Sequence, residues 1–131
     1  KNYKAVNMLK KLYIIFFILI SFDSLAVEKK TNFTLEKFTE ANKSGKTIVI
    51  NSWNKYCGTC AKQVKILKEA EKDFPNALFL YYEQNKNEEI AKLLNVKYWA
   101  TIIIYKNSKE VAKEIGVTSK NDIYSLIKKE I

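Results

Sequence analysis

No histidine and no arginine occur anywhere in these 131 residues, while proline occurs once, glycine three times and cysteine twice. The missing imidazole excludes histidine metal ligands, cysteine–histidine nucleophile pairs and a Ser-His-Asp triad together. The missing guanidinium argues against a dedicated nucleic-acid binder despite a formal net charge of +9, because base edges and phosphates favour that planar fork. All 23 cations are lysines, interspersed along the chain with 14 acids, the distribution of a solvated surface. Apolar residues form 47% of the chain, enough for a core and too many for a disordered polypeptide.

One long apolar run is present, near the start. From Met8 the chain reads MLKKLYIIFFILISFDSLAVEKK. Lys10 and Lys11 make a basic n-region, residues 12–22 are apolar apart from Ser21, and Ser24-Leu25-Ala26 is a small-x-small cleavage site. The run of about 11 residues is short against the roughly 20 that cross a bilayer as a helix. Residues 1–26 are therefore expected to be a signal peptide cut after Ala26, with either the true start at Met8 or the sequence a fragment, and the protein is expected to be periplasmic or otherwise exported. The competing expectation is an uncleaved membrane anchor at residues 12–22. Export to an oxidising compartment lets a cysteine pair persist as a disulfide.

Residues 27–131 read as one domain. Phe33 is expected to open a short first strand. Leu35, Phe38 and Ala41 recur at helical spacing up to Ser44-Gly45. Residues 47–53 (TIVINSW) form a strand buried on both faces. A helix follows with Val64, Leu67, Ala70 and Phe74 on one stripe, stopped by Pro75. Residues 77–82 form a second buried strand, residues 87–94 a short helix carrying Ile90, Leu93 and Leu94, and residues 101–105 a third strand. A tight turn at 106–109 leads to an edge strand at 111–115. Ser119 to Asp122 suggest a helix cap, with Ile123, Leu126 and Ile127 facing inward behind it. The order β-α-β-α-β-α-β-β-α implies an α/β class with parallel pairing in the first half and a hairpin in the second.

The two cysteines, Cys57 and Cys60, stand three apart directly after a buried strand, in WNKYCGTC. On a helix this spacing puts both sulfurs on one side of the first turn, within bridging distance. Cys57 falls at the helix start, where free N–H groups and the dipole favour a thiolate, and Lys55 and Lys62 add positive potential. Cys57 is thus the expected attacking sulfur and Cys60 the resolving one, with Gly58 small enough to let a partner chain approach. Half a zinc site has the same spacing, but a complete one needs two more ligands than a single chain supplies. A purely structural disulfide closing so short a loop would be a weak staple.

Over nearly all of residues 33–131 the chain resembles the thioredoxin family. IVINSWNKYCGTCAK is similar to the family's strand and W-x-x-[WY]-C-G-x-C-[KR] motif, and ATIIIYKNSKEV to its later strand-turn-strand. Gly116 and a serine-led last helix match as well. The resemblance implies a thioredoxin fold, a central mixed four- to five-stranded sheet flanked by helices on both faces, and thiol–disulfide exchange. It places Trp53, Tyr56, Gly58 and Thr59 in the active-site loop beside Cys57 and Cys60, and Trp99, Ala100 and Thr101 in a substrate-docking loop. No metal and no cofactor beyond a Cys57–Cys60 disulfide are implied. Expected partners are protein thiols and disulfides and a membrane-linked redox protein, without nucleic acid, and the chain is expected to be a monomer.

Three departures from the family pattern stand out. Ala100 takes the place of a cis-proline, and a trans bond is expected there because a cis bond before a non-proline residue costs about 3–4 kcal/mol. Asn51 replaces a buried aspartate and is no base, so slower deprotonation of Cys60 is expected, beside a plain hydrogen-bonding role in the core. Thr59 replaces the proline of CGPC, which is expected to raise the redox potential. Two rivals to the oxidoreductase follow: a non-catalytic binding module on the same scaffold with a structural disulfide, and a dimer bridged by a metal centre on four thiolates.

Overall fold

The computed structural model describes residues 30–131; the expected leader and the start at Met8 lie outside the described residues. Helix α1 (Leu35–Lys43) precedes strand β1 (Ile48–Trp53), helix α2 (Gly58–Asp73) and strand β2 (Leu78–Glu83). A 3-10 turn at Gln84–Lys86 leads into α3 (Glu88–Leu93), the hairpin β3 (Thr101–Lys106) and β4 (Lys109–Ile115), and finally α4 (Lys120–Lys128). The sheet order is β2-β1-β3-β4. β1 pairs parallel with β2 and antiparallel with β3, and β3 pairs antiparallel with β4. The expected mixed sheet is there, with four strands among the described residues.

The expected strand at Phe33 is not formed. The N–H groups of Asn32 and Phe33 both donate to the Tyr81 carbonyl, at 3.0 and 3.1 Å, while the Asn32 side chain accepts the Tyr81 N–H at 2.7 Å and donates to the Phe79 carbonyl at 3.1 Å. An asparagine side chain thus satisfies the edge of β2 where a strand ladder would have done so.

Every residue of β1 is buried, and successive side chains leave on opposite faces. Val49, Trp53, Phe79, Tyr81, Ile102 and Ile104 meet α2 and α4 through Cys60, Val64, Leu67, Ala70, Ile123 and Ile127. Ile48, Ile50, Leu80, Tyr82 and Ile103 meet the layer of α1 and α3 through Phe33, Ala41, Ala91 and Leu94. Fully burying a side chain such as Val49 on one face or Ile50 on the other stabilises the fold by about 1.5–3 kcal/mol, so both layers hold β1 in place. Leu35 and Leu93, expected on inward stripes, are exposed. They stand at the two ends of short helices, where the stripe has turned away from the sheet.

Local chemistry sets the element ends. Thr34 and Ser119 cap α1 and α4, accepting N–H bonds from Lys37 and Asp122. Asn107 and Ser108 both adopt positive φ, +48° and +62°, the two-residue turn that matches strand twist in a hairpin. Two exposed contacts bind α4 to α2: the Tyr124 hydroxyl donates to Asp73 at 2.7 Å, and Lys120 pairs with Glu69 at 2.7 Å.

Candidate active site

β1 ends at the buried Trp53, and the chain reaches the surface at Lys55 as the next few residues fold on themselves. The Asn54 side chain accepts the Tyr56 N–H at 3.0 Å, and the Asn54 carbonyl accepts the Cys57 N–H at 3.1 Å. This turn places Cys57 at the N-cap of α2, where its Sγ accepts the Cys60 N–H at 3.1 Å. Cys57 and Cys60 are joined as a disulfide, with Cα atoms 5.2 Å apart. Cys57 is half-buried, whereas Cys60 is 0% exposed, one turn deeper against the sheet. Gly58 and Thr59 are exposed between them, and a Cβ at Gly58 would meet nothing within 4 Å. That glycine therefore answers no packing need inside the chain.

Across from the helix mouth lies the loop before β3. Between them runs an open groove of about 640 Å³, lined by Cys57 and Thr59 on one side and by Tyr98, Trp99, Ala100 and Gly116 on the other, with Gln84, Asn85 and Lys97 at one end. Trp99 is held over the groove by its Nε1–H, which donates to Asn85 Oδ1 at 2.8 Å. Gln84 donates to the Lys97 carbonyl at 3.2 Å and accepts the Ser52 hydroxyl. The Thr101 hydroxyl donates to the Tyr98 carbonyl at 2.6 Å. The 99–100 peptide bond is trans, as expected, and Ala100 sits in the left-handed region at φ +54°. For a residue with a Cβ this costs about 1–2 kcal/mol, offset by two donors to the Ala100 carbonyl: the Gly116 N–H at 2.8 Å and Gln63 Nε2 at 3.0 Å.

The residues singled out from the sequence thus fall into two groups. Cys57, Thr59, Trp99 and Ala100 share the groove, and Gly58 and Tyr56 stand exposed beside Cys57, Tyr56 with the Lys55 ammonium 4.7 Å above its ring. Trp53, Cys60 and Thr101 are buried. Trp53 packs in the layer of α2 and α4, and its Nε1 has no hydrogen-bond partner. Asn51 is fully buried on the same side of β1, its Nδ2 donating to Gln63 Oε1 at 2.9 Å and its Oδ1 without a partner. Sequence reasoning missed Gln63, Tyr98, Gln84 and Asn85. Gln63 carried a signal, since it is polar at a position three beyond Cys60 and so on the inward stripe of α2.

Among the described residues, Lys97 is the one charged side chain that lines the groove. In the layer behind Cys60, burial first and a hydrogen bond to Glu71 second push the Tyr81 hydroxyl far above the usual range, so it stays neutral. Among the described residues no group of three or more histidine, cysteine, aspartate or glutamate side chains could hold a metal ion. A centre on the two sulfurs would need a second chain.

The family model for Thioredoxin matches residues 26–129. A Thioredoxin H-type from Oryza sativa subsp. indica is 29% identical over 107 residues, covering 82% of this chain and 86% of that protein. The X-ray structure of Fasciola hepatica thioredoxin superposes with a TM-score of 0.67 at 27% identity, over 74% of this chain and 91% of that one. Trxlp from Edwardsiella tarda, at 21% identity and a TM-score of 0.69 over 72% of this chain and 94% of its own, speaks for the fold alone. A family match that runs from before α1 through α4, laid over this sheet and this disulfide, leads to one assignment: the chain belongs to the thioredoxin family of thiol–disulfide oxidoreductases.

Proposed function

We propose that this protein is an exported thiol–disulfide oxidoreductase whose CGTC pair exchanges with protein clients, Cys57 as the nucleophile and Cys60 as the resolving thiol. The reading rests on the unequal exposure of the two sulfurs: Cys57 opens onto the groove and Cys60 is sealed. In the reduced protein the Cys57 thiolate attacks one sulfur of a client disulfide, whose other sulfur leaves as a thiolate and takes up a proton. The Cys60 thiolate then attacks Cys57 in the mixed disulfide, breaking the bond to the client. The client departs as a dithiol with two electrons, and the Cys57–Cys60 disulfide is left behind. In reverse, a client thiolate attacks Cys57 of the oxidised pair and the client becomes oxidised.

The client chain would lie along Trp99, Ala100 and Thr101, with Tyr56, Gly58 and Thr59 at the opposite rim and Trp53 as packing beneath. No further cofactor enters the cycle. Asn51 cannot take the Cys60 proton, which passes to solvent or to the departing thiolate. The partners are protein thiols and disulfides, with a membrane-linked redox protein resupplying or removing electrons. The protein acts as a monomer and does not bind nucleic acid. The basic-apolar-small pattern of residues 10–26 in the sequence is what supports a periplasmic or other exported location.

Insulin-disulfide reduction tests the enzyme. Cys57→Ser is expected to abolish it, and full activity in that variant removes the assignment. Equilibration of the pair against a glutathione buffer then gives the direction of flow; a potential below about −300 mV marks an inert structural disulfide instead.

A further inference from the structure

Outside the disulfide, the amide of Gln63 is the polar group of this core that ties the cysteine-bearing helix to the groove. Its side chain is 0% exposed, one turn beyond Cys60 on α2. Its Nε2 donates to the Ala100 carbonyl at 3.0 Å and to the Val117 carbonyl at 2.9 Å, and its Oε1 accepts Asn51 Nδ2 at 2.9 Å. Both N–H groups and the oxygen are used, and they connect four separate pieces: β1, α2, the loop before β3 and the loop after β4. Two of those connections end on the far wall of the groove. Ala100 lines it directly, and Val117 follows Gly116, which lines it too.

The bond to Ala100 has a particular consequence. Among the described residues the other non-glycine residues with positive φ are Asn95 and Asn107, of a type that tolerates the region, and Ser108, which shares the exposed hairpin turn with Asn107. Ala100 is buried, and its methyl can make no hydrogen bond. Its conformation is therefore imposed by the donors on its carbonyl, of which Gln63 supplies one from the helix that carries the cysteines. A hydrogen-bonded link runs from the helix that carries the cysteines to the loop before β3 through a single side chain.

We propose that Gln63 is a positioning residue for disulfide exchange: by holding the Ala100 and Val117 carbonyls it keeps the Trp99–Ala100 wall in the shape that receives a client chain opposite Cys57. The role rests on exchange at Cys57 and goes beyond it, since Gln63 touches neither sulfur nor client.

Gln63→Met keeps length and removes both donors; Gln63→Glu keeps the acceptor for Asn51 and leaves at most one O–H, on a protonated buried carboxyl, for the two loop carbonyls. Either variant is expected to raise KM for insulin disulfides about tenfold, the scale of one or two lost buried hydrogen bonds, with kcat within twofold. The iodoacetamide rate at Cys57 and the equilibrium constant of the pair against glutathione are expected to stay within twofold of wild type, because residues 54–60 are held by their own bonds. A merely structural role would move all of these with stability. Ala100→Gly, which removes the penalty for positive φ, is expected to restore part of the KM in the Gln63→Met background. An active wild type matched by an equally active Gln63→Met protein overturns this proposal alone, and so do strictly additive effects of the two substitutions. An inactive wild type overturns the exchange reading as well. Should neither variant fold, hydrogen exchange decides on the intact protein. Protected Gln63 amide protons in both redox states support the role, and unprotected ones overturn it.

Discussion

The two walls of the groove are built by opposite means. The wall that carries Cys57 is made within a few residues: an asparagine turn, a capped helix start and a disulfide, all between residues 54 and 60. The wall that carries Trp99 and Ala100 is made from afar, by Asn85, Gln63 and Gly116, which are 14, 37 and 16 residues away in sequence. The first wall places a reactive sulfur and the second places whatever that sulfur is to react with. A local motif survives a good deal of change elsewhere; a surface held by long-range hydrogen bonds depends on every partner being in its place.

The sharpest test of this division acts on the local wall. Cys60→Ser should halt turnover while leaving Cys57 able to attack, so the variant accumulates as a mixed disulfide with its client, visible as a stable adduct on a non-reducing gel. No adduct, with turnover intact, would break the assignment of roles. The next effect is on the distant wall. Ala100→Val puts a β-branched side chain at a positive φ and should lower stability by about 1–2 kcal/mol, with loss of client affinity and an unchanged alkylation rate at Cys57. Denaturant melts and insulin kinetics read the two separately.

Asn51→Asp addresses what joins the walls. A carboxyl in this fully buried place has its acidity suppressed by desolvation, so its folded pKa lies above the unfolded value of about 3.9. The sign follows from that. Stability is complete below the unfolded value and falls as pH rises toward the folded one, by about 1.4 kcal/mol per unit between them. Urea melts from pH 4 to 8 should show this slope in the variant and not in the wild type. The smallest effect at working pH belongs to Tyr81. Its hydroxyl is held neutral by burial and by Glu71, so stability should be indifferent to this group below about pH 10 and decline above it, as the unfolded chain alone ionises. An alkaline loss of activity that tracks this loss of fold belongs to neither wall; one that sets in earlier belongs to the site.

What could be read from the sequence follows the same division. Capping and helix dipole are local, so the place of Cys57 at the start of α2 and the depth of Cys60 were open to inference, as were the stripe Val64, Leu67 and Ala70, the hairpin turn at Asn107-Ser108 and the cap at Ser119. The strand expected at Phe33 failed because an apolar pattern does not distinguish a ladder from an edge satisfied by the Asn32 side chain. The trans bond before Ala100 followed from energetics, but its positive φ did not. Alanine has no preference for that region, and the cause lies in Gln63 and Gly116. Asn51 was noticed for the base it lacks; that it holds the Gln63 amide needed the fold to bring two helix turns and a strand together.

The difference in access between the two sulfurs is the claim on which the rest depends, and timed alkylation of the reduced protein reaches it most directly. With limiting iodoacetamide and peptide mapping, label is predicted on Cys57 at least about 100-fold faster than on Cys60, in keeping with a thiolate at a helix mouth beside a buried thiol. Equal labelling, or label on Cys60 first, would contradict the account.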